Sequence, residues 1–289
     1  MKILGVSLGT KNGNNDTMCR VALEAAKEKG AEIEFIHLLD WDIQYCSGCV
    51  ACSRGLVMGK GMICSRQDDF KAFYEKVVEA DGVLFVDPIF ESGATGLYHS
   101  ITDRMGPGHD TGMMKMLDGK LKEAGKEGLN PRYFRQKALS FVGIGGSDWA
   151  VRCETDHAMF ALSPGWKVVN NEFFSWCKDV IMQDDKVERM KEIGRNLADA
   201  AQQIIDEDMQ IEGSEKTSLW KGKEGACPHC QGNNFYIYPG TTHCVCELCG
   251  LEGTLEIVDG AFKFKYDPAT EHHAHDILSG KFLHGQDIF

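Results

Sequence analysis

The chain has 289 residues, 43% of them hydrophobic, with 43 acidic against 31 basic side chains and a formal net charge of −12. That length accommodates one ordinary domain and a smaller second unit, and the charge repels a phosphate backbone, so no nucleic-acid partner is expected. No apolar run approaches the roughly 18 residues of a membrane span, and "MKILGVSLGT" enters a strand-like segment without the basic flank of a secretory signal, so a cytoplasmic protein with no membrane partner is expected.

"KILGVSL" (2–8) predicts a strand, a polar loop follows, and "DTMCRVALEAAKEKG" carries Met18, Val21, Ala22, Ala25 and Ala26 at helical spacing up to Gly30. "AEIEFIHL" alternates as a second strand. "DDFKAFYEKVVEA" is a helix whose two leading aspartates suit the positive end of its dipole. "DGVLFVDPI" is a continuous apolar run, as in a strand buried on both faces. A helix from about Ala94 to Arg104 precedes residues 105–135, which break the rhythm and read as an insertion. "KALSFVGIGG" resumes the strand pattern, "CETDHAMFAL" is helical, "GWKVVNNEFF" is the fifth strand, and residues 185–209 form a long amphipathic helix. Strands alternating with helices imply a doubly wound parallel sheet with helices on both faces.

The predicted organisation is an α/β domain over 1–209, a linker over 210–223, a cysteine-rich unit over 224–262 and a tail over 263–289. In a doubly wound sheet ligands sit at the carboxyl ends of the strands. The first such loop lacks both the dinucleotide fingerprint and a Walker P-loop. It offers Ser7, Thr10, Asn12, Asn14, Asn15 and Thr17 around a helix N-terminus, with Lys11 as the nearby cation, which suits a phosphate monoester. A plain turn capped by Asn15 or Asp16 is the competing reading. The third strand leads into Pro88, Ile89, Phe90, Glu91, Ser92 and Gly93, and the fourth into Gly145, Gly146 and Ser147.

On these loops the chain resembles the flavodoxin-like, NADPH-dependent FMN reductase family over roughly residues 1–206. Ser7, Asn12, Gly13 and Asn14 match its first motif. Pro88, Phe90, Gly93, Thr95, Gly96, Leu97, Asp103 and Arg104 match the second, and Gly143, Gly145 and Gly146 the glycine-rich turn. Glu91, His99 in place of the usual lysine, and the long insertion depart from the pattern. The resemblance implies a five-stranded sheet in the order 2-1-3-4-5 and bound FMN: phosphate on the first loop, Pro88 to Gly93 along the ring edge, and backbone N–H groups of Gly145, Gly146 and Ser147 near the pyrimidine oxygens. Glycine permits that close approach, though a plain strand-ending turn also accounts for the glycine pair.

Cys46, Cys49 and Cys52 follow C-x2-C-x2-C spacing, and Cys64 arrives after eleven intervening residues, before "SRQDDF". In a reducing compartment such thiols point to metal or redox chemistry rather than disulfides. The set is similar to that of the iron-sulfur flavoproteins, which implies a [4Fe-4S] cluster; a zinc knot and free or regulatory thiols are the alternatives. The "CPHC" (227–230) and "CELC" (246–249) knuckles lie fifteen residues apart. Cys227, Cys230, Cys246 and Cys249 therefore read as a Zn²⁺ site in a zinc ribbon, with rubredoxin-like iron as the rival. Cys244 reads as a bystander, Cys153 and Cys177 as ordinary buried thiols, and His272, His273 and His275 as a solvated tail or a weaker metal site.

The expected function is an FMN-dependent oxidoreductase passing electrons from NAD(P)H or a ferredoxin-like carrier, through the cluster, to a small organic acceptor. An electron-transfer flavoprotein and a redox-sensing regulator are the alternatives. No side chain is assigned as catalytic, since flavin N5 carries the chemistry; His109 and Tyr133, on the insertion, are candidates for touching substrate. The resemblance also implies a homodimer or homotetramer.

Overall fold

The computed structural model describes residues 1–58 and 64–288. Strands β1 (Lys2–Ser7), β2 (Glu32–His37), β3 (Gly82–Pro88), β4 (Ala138–Ile144) and β5 (Lys167–Phe174) form a parallel sheet in the order β2-β1-β3-β4-β5. This is the flavodoxin-like order that the resemblance implied. β3 and β4 are central and buried almost throughout, which is why their sequences are unbroken apolar runs. Since the strands all point one way, their carboxyl ends share one edge of the sheet.

The helices are α1 (Asn14–Glu28), α2 (Ala51–Val57), α3 (Phe70–Glu79), α4 (Gly96–Thr102), α5 (Gly106–His109), α6 (Thr111–Glu123), α7 (Cys153–Leu162), α8 (Asp184–Asp206) and α9 (Leu278–Ile288). α1 and α8 cover one face, burying Met18, Leu23, Ile193 and Leu197 against Ile3, Leu84 and Val142. They approach so closely that a β-carbon on Gly194 would stand 2.1 Å from the Ala22 carbonyl oxygen. The other face packs Phe70, Phe73, Tyr98 and Phe160 against Phe85 and Phe141.

The cysteine-rich unit is an antiparallel sheet of β6 (Phe235–Ile237), β7 (His243–Cys246), β8 (Glu252–Val258) and β9 (Ala261–Tyr266), so its strands run past residue 262. Residues 210–223 lie against the α/β domain: Leu219 is buried in its core and the Lys221 N–H donates to Val169 O on the open edge of β5, at 2.7 Å. The tail turns back to lay α9 on α6 of the insertion. There the buried Lys281 ammonium donates to Leu162 O (2.6 Å), Ser163 O (3.1 Å) and Asp110 Oδ2 (3.2 Å), closing the carboxyl end of α7. Among the described residues no helix is long and apolar enough to cross a membrane.

Candidate functional site

The loop after β1 is organised by Asp16. Its carboxylate accepts from Ser7 Oγ (2.5 Å) and the Asn12 N–H (2.7 Å) and meets His37 Nδ1 at 2.9 Å. Burial opposes its ionisation, but the hydrogen bonds from Ser7, Asn12 and His37 win and lower its pKa. Asn12 takes a left-handed φ of 57° to make this contact. Neither Asn15 nor Asp16 caps α1. The N-cap is Gly13, which has no side chain to offer, so the first-turn N–H groups face an outside acceptor.

Asn15 adds a buried Nδ2 with no partner among the described residues. An uncapped helix N-terminus beside an orphaned amide donor fits a phosphate monoester. The other predicted donors have work elsewhere. Ser7 serves Asp16, Thr17 Oγ1 donates to Gly13 O, and Asn14 Nδ2 donates to Cys177 O (3.0 Å) and Lys178 O (2.9 Å), while Thr10 lies exposed. Lys11 leans onto Asp40.

After β3, Ile89 N–H bonds to Ile144 O, and Phe90 and Gly93 exchange backbone hydrogen bonds across a two-residue turn. The turn residues, Glu91 (φ 47°) and Ser92 (φ 65°), are both left-handed. Each non-glycine residue there costs about 1–2 kcal/mol, a strain that clusters at functional loops. At Gly93 a β-carbon would stand 2.2 Å from Asp156 Oδ2, so a larger residue would displace the Asp156 and Arg152 side chains. After β4, Gly145 is tied to β5 through Phe174 O at 2.9 Å, a β-carbon on Gly146 would meet open space, and Ser147 Oγ accepts from the Trp149 N–H.

Beneath both loops lies a polar weld that the sequence did not announce. Asp87, at the end of β3, accepts from the Thr95 N–H (2.8 Å) and Thr95 Oγ1 (2.6 Å), and Thr95 in turn caps α4. His157 Nε2 lies 3.2 Å from Asp87 Oδ2, and its Nδ1 lies 3.5 Å from Cys153 Sγ one turn back on α7. Cys153 is therefore a wall of this network and not an isolated core thiol. The one available signal was the i, i+4 pairing of Cys153 and His157 on a helix that follows the glycine turn.

The first cysteine set sits at the surface. Cys46, Cys49 and Cys64 are exposed, Cys52 is half-buried, and residues 59–63 of the predicted 46–64 loop lie outside the described residues. Cys49 Sγ is 3.1 Å from Ser65 Oγ, and that hydrogen bond, with others from the backbone, lowers its pKa to about 7. The base of the loop is held by Arg104 of the second motif. Its guanidinium forms a buried bidentate pair with Asp68, donates to Gln44 O (3.1 Å) and to Cys64 Sγ (3.2 Å), and stacks on Phe70. Asp68 and Asp69 thus tie the loop through Arg104 and the N–H groups of Gln44 and Asp42; Asp68 also accepts from the Phe70 N–H at the start of α3, where Asp69 holds the N-cap position without a side-chain cap bond. Replacing Arg104 with leucine is expected to cost about 3 kcal/mol in urea unfolding by stranding Asp68, with much of it recovered when Asp68→Asn is added.

His109 lies under this loop, its ring centroid 4.0 Å from that of Tyr74, with Nδ1 lacking a partner among the described residues. Burial first, then the Arg104 charge, lowers its pKa to about 3, so it is neutral and sealed from substrate. Tyr133 hydrogen-bonds Glu75 ahead of β4, at the amino edge of the sheet. Neither candidate is hydrogen-bonded or ring-stacked to the loops over 88–93 or 145–147 among the described residues.

The second cysteine set does converge. Among the described residues Cys227, Cys230, Cys246 and Cys249 are the group whose ligand atoms all lie within 4.8 Å of one another. The Cys227–Cys249 and Cys230–Cys246 sulfur separations are 3.6 and 3.4 Å, close to the roughly 3.7 Å between thiolates around an ion with 2.3 Å bonds. The set can hold a metal ion and fits a zinc ribbon. His272, His273 and His275 do not join it; His275 packs on His284 instead.

The sheet order, the uncapped α1 and the strained turn after β3 define a flavodoxin-like protein of the FMN oxidoreductase class. The model of the NADPH-dependent FMN reductase family matches residues 1–179, and the chain belongs to that family. An iron-sulfur flavoprotein of Archaeoglobus fulgidus is 29% identical over 150 residues, which are 52% of this chain and 64% of that protein. The flavone synthase cfoJ of Aspergillus candidus is 27% identical over 303 residues, covering 100% of this chain and 88% of that protein. A solved structure of a flavone reductase is 41% identical with a TM-score of 0.85, over 100% of this chain and 88% of that one.

Proposed function

We propose that this chain is an FMN-dependent reductase of flat aryl enones of the flavone type, taking electrons from NAD(P)H or a reduced ferredoxin-like carrier. The observation that carries the reading is the likeness to a flavone reductase across both units, ribbon included, at 41% identity. Bound FMN supplies a hydride-transferring centre. The chain's part is to hold it: first-turn N–H groups of α1 and Asn15 Nδ2 for the phosphate, the Phe90–Gly93 turn along the ring, and the backbone N–H groups of Gly146 and Ser147 for the pyrimidine oxygens, the Gly145 N–H being committed to Phe174 O.

The reading includes a [4Fe-4S] cluster on Cys46, Cys49, Cys52 and Cys64, whose exposure suits electron entry from a docked carrier. It also includes a structural Zn²⁺ in the ribbon, a cytoplasmic location and a homodimer or homotetramer. What supports a cluster there is the chemistry of four thiols on one loop, with Cys64 accepting a charge-assisted hydrogen bond from Arg104, although among the described residues their sulfurs do not converge as those of the ribbon do.

The test is anaerobic turnover of purified, FMN-loaded protein with flavone and either NADH or NADPH. Reduction of the enone double bond takes two electrons and two protons, so one NAD(P)H and one solvent proton are expected to disappear per product formed. A yellow protein that oxidises NAD(P)H with ferricyanide but leaves flavone untouched would overturn the substrate and favour an electron-transfer role.

A further inference from the structure

Trp176 follows β5 and combines three properties that the fold does not explain. Its φ is 59°, a left-handed conformation that bulky side chains rarely adopt. Its indole is 63% exposed, so it contributes little to the core. Yet its loop is strapped from several sides: Asn14 Nδ2 donates to Cys177 O and Lys178 O, Lys186 Nζ to Ser175 O, Gln183 Nε2 to Trp176 O, and the Cys177 N–H to Gly145 O. Glycine or asparagine would make the same turn without the steric penalty, and a polar side chain would suit the exposure. Backbone and packing thus both argue against tryptophan here, which leaves recognition as the reason for it.

The straps also locate it. Asn14 opens α1 at the phosphate loop, and Gly145 belongs to the glycine turn, so the Trp176 loop is fastened to two of the loops assigned to FMN. Phe90 (65% exposed) and Trp149 (59% exposed) stand on the loops after β3 and β4, the strands next in line along the same edge. Exposed aromatics thus follow three consecutive strands, spaced about 4.8 Å apart in the sheet. We infer that Trp176 is the specificity-determining platform on which the aryl rings of the acceptor stack, with Phe90 and Trp149 completing the rim. A flat conjugated ligand gains from such a rim through offset stacking, and a small aliphatic enone does not.

The inference rests on the flavone-type reading and is tested so that the two fail separately. Protein loaded with FMN and reduced with dithionite is reoxidised by flavone or by 2-cyclohexenone over a range of concentrations, in wild type, Trp176→Ala and Trp176→Phe. Trp176→Ala is expected to raise the half-saturating flavone concentration about tenfold, or ~1.4 kcal/mol, with the limiting rate changed less than about twofold. Trp176→Phe should recover most of the loss, and the cyclohexenone dependence should hardly move. Flavin content and sedimentation accompany each variant. An unchanged flavone dependence in Trp176→Ala overturns the inference, as does an equal shift for both acceptors. Dissociation of an oligomer also overturns it, because it would assign the indole to a subunit contact. A wild type that cyclohexenone reoxidises and flavone does not removes the flavone-type reading, and the inference with it.

Discussion

Replacing His157 by leucine is expected to lower the unfolding free energy by about 3–5 kcal/mol, because it strands the Asp87 carboxylate in the interior without its counter-ion. Both side chains are essentially inaccessible, at 1% and 0% exposure. Burial by itself would lower the His157 pKa, but Cys153 and Asp87 override it and hold the imidazolium to about 10, against an ordinary 6.5. Between those values the folded chain retains a proton that the unfolded chain has released. The pair's contribution is therefore full below about pH 6.5 and lost as the pH rises through about 10. Guanidinium unfolding across that window should show wild-type stability falling more steeply with pH than that of His157→Leu; parallel slopes would refute the assignment. Adding Asp87→Asn removes the second charge and should recover part of the loss. Because Thr95 and Cys153 carry this weld into both carboxyl-edge loops, the single variant should also retain less FMN after gel filtration.

The sheet was legible because strand and helix periods alternate cleanly and because β3 and β4 are apolar without interruption, as central parallel strands must be. The ribbon was legible from two knuckles at metal spacing. What stayed hidden were contacts that join distant positions. Asp87 and His157 are 70 residues apart and Arg104 and Cys64 are 40, and neither pair leaves a local trace. The turn at Glu91 and Ser92 was invisible for a different reason, since its sequence lacks the Asn-Gly signature that announces a double left-handed turn. At α1 the sequence offered its polar side chains alike as donors, whereas Asp16 and Ser7 build the loop from inside, leaving the uncapped first-turn N–H groups and the buried Asn15 Nδ2 as the donors without partners among the described residues. α9 had no clear apolar stripe, because Lys281 is one of the residues it buries.

Stripping the ribbon of metal is expected to unfold it while the parallel sheet survives. Its core is small, with Cys227, Cys246, Leu248, Cys249 and Leu251 at the centre, and the tip of its sheet leaves Ile257 and Phe262 70% and 75% exposed. A metal held by four thiolates contributes about 10–16 kcal/mol in comparable zinc peptides, far more than such a core can. Calorimetry of wild type should change from one transition to two when a strong chelator is added, and Cys249→Ser should show the same early transition without chelator. A single transition unmoved by either treatment would show that the four thiols carry no metal of structural weight. Metal analysis then separates zinc from a coloured, rubredoxin-like iron site. The effect should reach the flavin loops along a definite route, since Asn234, just ahead of β6, donates to Val151 O in the segment between β4 and α7, at 2.9 Å. Loss of the ribbon frees that segment, so FMN should dissociate faster from the chelated protein. Asn234→Ala, with its metal intact, should reproduce part of that acceleration and none of the early unfolding.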